Sequence, residues 1–500
     1  MNLYDKEIVK AYGFLKRKAI KECARGNAEL AIGYVEKLST VANQLNWMFH
    51  DEQLSCLMDD LSAQLLTKNT KQYNPHKMRV VFYDQYGKSF ILAQQYIGAL
   101  IKAGYEILYI LSDYVDANRS TFIIEDLQKC PSVHVEVVPK QFTYQERAKL
   151  IRQLTLDFAP SKVFLHVKMF SVFNLVLPSL PELIDTYYID LQDHAMWVKN
   201  HQLKYVMPYR DWGATIDVEK RGFSKDQVLL MPYYPIVEGK PFQGFPDGLE
   251  GKVVIFTGGE LYKTMDWDNS YWNIVVRILA ENPNVVVLYA AKGDVTQLQR
   301  KAISNQAALL NVEERLLPIG FRTDINEVFK HCDIYLGTSP MSGGLMCQYA
   351  AVNAKPILQY YRPDMAANNE TEQVLNYNDS INISFTDVPA LLQEAKHLIN
   401  DADYRKTVGE RLRKSIIRKE QFDDLLEQSI SKNARCVEVN WQKIGYDRFV
   451  DWWFYLERCG ISNCRQYLLS LLKKKRFFVM PLSSIRMMVH RMRKQKRASR

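Results

Sequence analysis

Between Ser339 and Ile357 the chain reads SPMSGGLMCQYAAVNAKPI, with two glycines directly before a helix-like segment. Gly343 and Gly344 leave the first backbone N–H groups of that helix open to close approach, and Ser342 is placed to cap it. A helix start favours negative charge by roughly 0.3–1 kcal/mol, so a phosphate or diphosphate is its natural guest. A tight packing turn would use the same glycines, and the pair alone does not choose. In VVIFTGGELYK (Val253 to Lys263) a second pair, Gly258 and Gly259, is followed by Lys263. Its ammonium would either reach a diphosphate held at Gly343 and Gly344 or stand solvated. In PIGFRTDINEVF (Pro318 to Phe329), Asp324 and Glu327 have capping-box spacing, which leaves Phe321 and Arg322 in the preceding loop.

Two further pieces could do chemistry. His194 lies in YIDLQDHAMWVKN, at the end of a strand-like run. An imidazole ionises at about 6.5 and can accept a proton from an attacking hydroxyl; contact with substrate and a structural role stay open beside that. Asp193 projects to the other side if the segment is extended, so no His–Asp dyad follows. His166 sits within an apolar run and reads as a core residue. Asp266-Trp267-Asp268 has the form of a carboxylate pair that holds a divalent ion, but Asp268 serves equally as the cap of the next helix.

These residues need elements to position them. Residues 1–75 are rich in helix formers and lack strand-like runs. From Met78 short apolar runs alternate with helical stretches: MRVVFYD, YEILYIL, VHVEVVP, KVFLHV and DTYYIDL. After YYPIVEGKPFQGFPDGLEG, a linker with three prolines and four glycines, a second series follows: KVVIFT, VVVLYAA, RLLPIG, DIYLGT and PILQYY. Strands alternating with helices imply parallel sheets covered on both faces. The expected architecture is α/β, with two Rossmann-like doubly wound domains and helical extensions at both ends. The boundaries are 1–75, 76–235, 236–425 and 426–500. Such a pair puts a cleft at the carboxyl ends of the two sheets.

Composition narrows the class. Five hundred residues exceed one core. The first residues are charged throughout, unlike a signal peptide, and no apolar run approaches the ~18 residues of a spanning helix. The eight cysteines are scattered without a CxxC pair, so reduced thiols are expected, with neither a disulfide framework nor structural zinc. The formal charge of +9 is concentrated at the end: Arg465 to Arg500 holds twelve Lys or Arg and no Asp or Glu, so the body is mildly acidic. There Ile485, Met488, Val489 and Met492 fall at helical spacing, and LLKKKRFFVMPL sets two phenylalanines beside four cations. An apolar stripe with cations suits an anionic membrane surface. A solvated tail and a nucleic-acid patch are the alternatives, and nucleic acid is not the expected partner.

FTGGELYK, IGFRTDINEVFKHCDIYLGTSPMSGGL and NAKPI together resemble the donor-binding half of a GT-B-fold glycosyltransferase, over about 110 residues. YIDLQDHAMWVKN is similar to the DHxxW element of bacterial polysaccharide-type members; the likeness spans roughly residues 78–420. It implies that Gly343, Gly344 and Leu345 offer N–H groups to a nucleotide-sugar diphosphate, with Ser342 alongside and Gly258 and Gly259 in the neighbouring loop. Lys263 would neutralise the leaving phosphate, and Phe321 and Arg322 would lie near the base. His194 would act from the acceptor side. Tyr349 stands where many members carry a ribose-binding glutamate, a bond that Gln348 would supply instead. Glu260 stands where many carry arginine.

The resemblance therefore implies a hexosyltransferase. It would move a sugar, most simply from a UDP-sugar, to a hydroxyl of a cell-surface or lipid-linked glycan precursor, with no metal or other cofactor. The expected location is cytoplasmic, peripheral on the inner face of the membrane. A sugar-nucleotide epimerase or hydrolase of the same fold, or a non-catalytic partner of an active transferase, are the rival readings.

Overall fold

Every strand-like run named above becomes a strand; the central ones are apolar along their length because both faces of a parallel sheet are covered, while the edge runs VHVEV and LLPIG stay partly exposed. The computed structural model describes residues 2–67, 72–87, 91–112, 124–237, 239–291, 297–365, 370–444 and 448–498. It divides into two compact units, one of 1–231, 423–443 and 457–500, the other of 232–422 and 444–456.

In the first unit, six parallel strands stand in the order β3-β2-β1-β4-β5-β6. They are β1 His76–Asp84, β2 Glu106–Leu111, β3 Val133–Val137, β4 Pro160–His166, β5 Asp185–Asp190 and β6 Tyr205–Pro208. The order reverses between β1 and β4, whose register sets Asp84 opposite His166. His166 is a core residue, as its apolar setting suggested, with Nδ1 2.9 Å from Asp84 Oδ1 and both side chains fully buried.

The second unit repeats the plan as β12-β11-β10-β7-β8-β9. Its strands are β7 Val253–Gly259, β8 Val285–Ala291, β9 Leu316–Gly320, β10 Ile334–Leu336, β11 Ile357–Tyr360 and the two-residue β12 Ser384–Phe385. Here the order reverses between β7 and β10, so the loops carrying Lys263 and Gly343 leave adjacent strand ends. The proline- and glycine-rich linker is strapped onto this unit: Tyr349 donates to Ile236 O at 2.9 Å and Arg322 to Gly244 O at 2.7 Å. Residues 444–456 return to it, where buried Trp452 donates Nε1–H to Met265 O at 2.6 Å.

The N-terminal extension and residues 423–443 and 457–500 of the C-terminal one, read as two separate pieces, both belong to the first unit. Helix Leu3–Ala24 packs on helices Cys464–Leu472, Arg476–Val479 and Pro481–Ala498. The buried Glu7 carboxylate accepts from Leu482 N at 2.8 Å, Ser483 N at 3.0 Å and the Ser483 hydroxyl at 2.5 Å. It therefore sits at the start of helix Pro481–Ala498, where the dipole favours an anion. Asp5 and Glu457 hold Arg465 from the other side. Glu7→Ala orphans two backbone N–H groups and a hydroxyl in a buried place. It should cost about 1–3 kcal/mol, read as a lower melting temperature of the full chain.

Candidate functional site

The residues with most chemistry in the second unit gather where its strand order reverses. β7 ends at Gly258 and Gly259. A Cβ on Gly258 would stand 2.9 Å from the Phe256 ring, and Gly259 has φ +137°, so neither position accommodates a side chain without strain. The chain then turns through Leu261–Thr264. There Lys263 donates from Nζ to the Ser342 carbonyl at 3.1 Å, while Lys263 O accepts from Met341 N at 3.3 Å. The two loops are thus tied by side chain and backbone.

The loop after β10 is built to be tight. A Cβ on Gly337 would fall 1.9 Å from Gln359 Oε1, and Gln359 in turn donates to Thr338 O at 2.9 Å. The Thr338 hydroxyl closes the turn on Met341 O at 2.7 Å. Helix Gly344–Val352 starts directly afterwards. Of the glycine pair only Gly344 is sterically demanded, since a Cβ there would meet Glu370 Oε1 at 2.5 Å and the Tyr233 hydroxyl at 3.0 Å. Ser342 does not cap the helix. It is buried and donates its hydroxyl to Glu370 Oε2 at 3.0 Å, and Gly343 is the N-cap residue.

Glu370, just before the short helix Thr371–Val374, is therefore a member of this site that the sequence did not announce. Its carboxylate stands at a helix start beside the Lys263 loop. Burial, then the charges of Glu260 and Glu370, push the Tyr262 phenol up to about 12. The place is electrostatically mixed: one ammonium and a helix dipole face two carboxylates.

The residues expected near a nucleotide divide. Phe321 is exposed at the mouth of a cavity of about 210 Å³, whose walls include Gly259, Glu260, Ala290, Ile325 and Met346. Arg322 reaches that cavity's wall, but its guanidinium is buried and committed. It forms a two-pronged ion pair with Asp324 at 2.8 and 2.6 Å and lies against the rings of Phe242 and Phe245. Asp324 is consequently not the expected capping box: its carboxylate is used by Arg322 and by Gln243 N, and no side chain caps helix Ile325–His331. Gln348 is fully buried and donates to Tyr233 O at 2.6 Å and Val374 O at 3.3 Å, so its amide nitrogen binds the unit's own backbone and not a ribose. Leu345, in the first turn of helix Gly344–Val352, is half-buried. The Asp266/Asp268 pair is bridged by Arg362, whose Nη1 lies 3.1 Å from Asp266 Oδ2 and 2.7 Å from Asp268 Oδ1.

In the first unit the DHxxW segment is a turn, not an extended strand. Asp193 Oδ1 lies 3.5 Å from His194 Nδ1, yet the Asp193 carboxylate is claimed by Arg210, with contacts of 2.5 and 2.9 Å. Gly213 leaves room for it, since a Cβ there would stand 2.8 Å from Asp193 Oδ2. Burial opposes the Asp193 charge, but Arg210 outweighs it and holds the carboxyl below the usual range. Trp197 stacks on Tyr188 at 3.9 Å.

Arg221 fixes the backbone on which His194 rides. Fully buried, it donates to the carbonyls of Gln192, Asp193 and Ala195 at 3.3, 2.9 and 2.7 Å, and to Asp190 and Asp217 at 2.9 Å each. His194, with a fifth of its side chain exposed, is the accessible tip of this framework.

Compared by sequence, the chain matches no protein-family model and no curated protein. Compared by structure, it is similar to an O-GlcNAc transferase of Thermobaculum terrenum, with 14% identity, a TM-score of 0.55 and 84% of each chain covered. A glycosyltransferase of Rickettsia africae is similar at 14% identity and a TM-score of 0.53, over 71% of this chain and 98% of that one. Anabaena Alr3699/HepE, determined with UDP and glucose, is similar at 15% identity and a TM-score of 0.50, over 71% and 100%. The likeness shows the fold: two Rossmann-like domains arranged in sequence as in GT-B glycosyltransferases.

Burial raises the Asp190 carboxyl to about 6, partly offset by Arg221, against about 4 for an unfolded aspartate. A raised carboxyl contributes stability that is fully present below about 4 and lost as pH rises through about 6. Asp190→Asn should therefore melt progressively higher relative to the parent from pH 4 to pH 7. A difference in melting temperature that stays constant over this range would contradict the assignment.

Proposed function

We propose that the chain is a glycosyltransferase that moves a sugar from a UDP-sugar to a hydroxyl of a cell-surface or lipid-linked glycan precursor. The observation that carries this reading is Lys263 Nζ held 3.1 Å from Ser342 O, at the mouth of helix Gly344–Val352 and at the strand-order reversal of a parallel sheet. Ligands of open α/β sheets bind at such reversals, and helix starts bind phosphates. Similar solved structures add support, since Alr3699/HepE is described in complex with UDP-glucose.

In this reading the Gly344 and Leu345 N–H groups hold the diphosphate, and Phe321 lies at the base. As the bond between the sugar's anomeric carbon and the phosphate oxygen breaks, Lys263 neutralises the charge gathering on that oxygen. The acceptor oxygen forms the new bond, and its proton passes to His194, steadied by Arg221 through the loop backbone. Glu370 opposes the incoming diphosphate at the helix start and has to move aside for it.

Lys263→Ala should retain the fold, weaken UDP-sugar binding and lower turnover by roughly 10²–10³; undiminished turnover would refute its role. His194→Ala should lower turnover by roughly 10²–10⁴ with donor affinity little changed. Glu370→Gln removes the like charge and should tighten UDP binding, measured by calorimetry; weaker binding would make Glu370 a donor contact. Donor incubated without acceptor should yield neither an epimer nor rapid free sugar, products that would indicate an epimerase or a hydrolase.

A further inference from the structure

Helix Pro481–Ala498 is attached the wrong way round for a helix that merely completes a core. Among its described side chains, those it buries are small and polar, Ser483 and Ser484, at 2% and 0% exposure. The side chains it turns outward are apolar: Leu482, Ile485 and Met488, at 39%, 56% and 44%. Just before it Phe477 and Phe478 are also exposed, Phe478 at 76%. The orientation is enforced, because Glu7 grips the first N–H groups and the Ser483 hydroxyl, and Arg465 donates to Ser483 Oγ at 2.9 Å. Isolated apolar side chains are ordinary on a protein surface, but five within twelve residues form a patch that calls for a partner.

The charges around the patch say which partner. Lys473, Lys474, Lys475 and Arg486 are exposed, Arg476 is half-exposed, and residues 473–488 contain no Asp or Glu. Lys10, from the N-terminal helix, lies 5.5 Å from the centre of the Phe478 ring and donates to Phe478 O at 3.4 Å, adding a cation to the same rim. Aromatic and aliphatic side chains ringed by cations match the boundary between acyl chains and anionic headgroups. No helix among the described residues is long and apolar enough to cross a membrane, so the contact is with its surface. Val489 is half-buried beside the stripe, and Met492 lies outside the described side chains.

We propose that Phe477, Phe478, Leu482, Ile485 and Met488 form a docking face for an anionic lipid bilayer, inserted at the level of the headgroups and held by the surrounding cations. The inference stands apart from the transferase reading, because vesicle binding is measured with neither donor nor acceptor and survives if Lys263 proves irrelevant.

The test is co-sedimentation of the full chain with vesicles of phosphatidylcholine alone or of phosphatidylcholine mixed equally with phosphatidylglycerol. Binding should require phosphatidylglycerol and weaken as salt is raised. Replacing Lys474 and Lys475 by Ala should weaken it about 25-fold, at about fivefold per cation. The double change Phe477→Ser and Phe478→Ser should abolish sedimentation while leaving the melting temperature unchanged, since both rings are exposed. Equal binding to neutral and anionic vesicles, or no binding to either, would overturn the proposal. So would a self-associating chain that these phenylalanine changes render monomeric without affecting vesicle binding, or a face that retains single-stranded RNA but not vesicles.

Discussion

The hydrogen bond from the Lys263 ammonium to the Ser342 carbonyl ties the loop after β7 to the loop after β10. The arrangement is possible because the parallel sheet reverses its order between those strands. It also needs Gly337 and Gly344, whose missing side chains let Gln359 and Glu370 come close. A cation, a helix start and a carboxylate then share one small space. Lysine and dipole favour a phosphate; Glu370 opposes one. Whatever binds there must settle that competition.

The first unit solves a different problem, that of holding one imidazole on a turn. Bringing the Arg221 guanidinium fully out of water is costly, by several kcal/mol before pairing, and burial raises the carboxyls of Asp190 and Asp217 beside it. What results is a guanidinium that satisfies three carbonyls of one loop and two carboxyl groups at once. Arg210 with Asp193 repeats the device one step further along. Hydrophobic residues of the same volume would pack at least as well but would not pin loop carbonyls. The charges are better understood as fixing the position of His194 than as adding stability.

What could be read from the sequence was local. A strand of a parallel sheet shows itself as an unbroken apolar run, and VVIFTGG and KVFLHV do; a glycine pair before a helix shows itself as well. Pairings between distant segments left no trace. Asp324 looked like a helix cap because Glu327 stood at the right spacing, yet Arg322, two residues away, took its carboxylate with help from the linker backbone. Gln348 was expected to stand in for the ribose-binding glutamate that the resemblance places at Tyr349, but the helix turns it inward onto Tyr233 O and Val374 O. Glu370 lies 28 residues beyond Ser342, with a helix and a strand between, and Glu7 is 476 residues from Ser483. Only the folded chain brings these together.

The central claim is that the helix start at Gly344, with Lys263, grips a nucleotide diphosphate. The most direct measurement is a crystal structure of the chain with UDP. The account predicts the β-phosphate within hydrogen-bond distance of the Gly344 or Leu345 N–H and of Lys263 Nζ, with the Glu370 carboxylate displaced from Ser342. UDP bound elsewhere, or bound with Glu370 still seated on the Ser342 hydroxyl and Lys263 turned away, would contradict it.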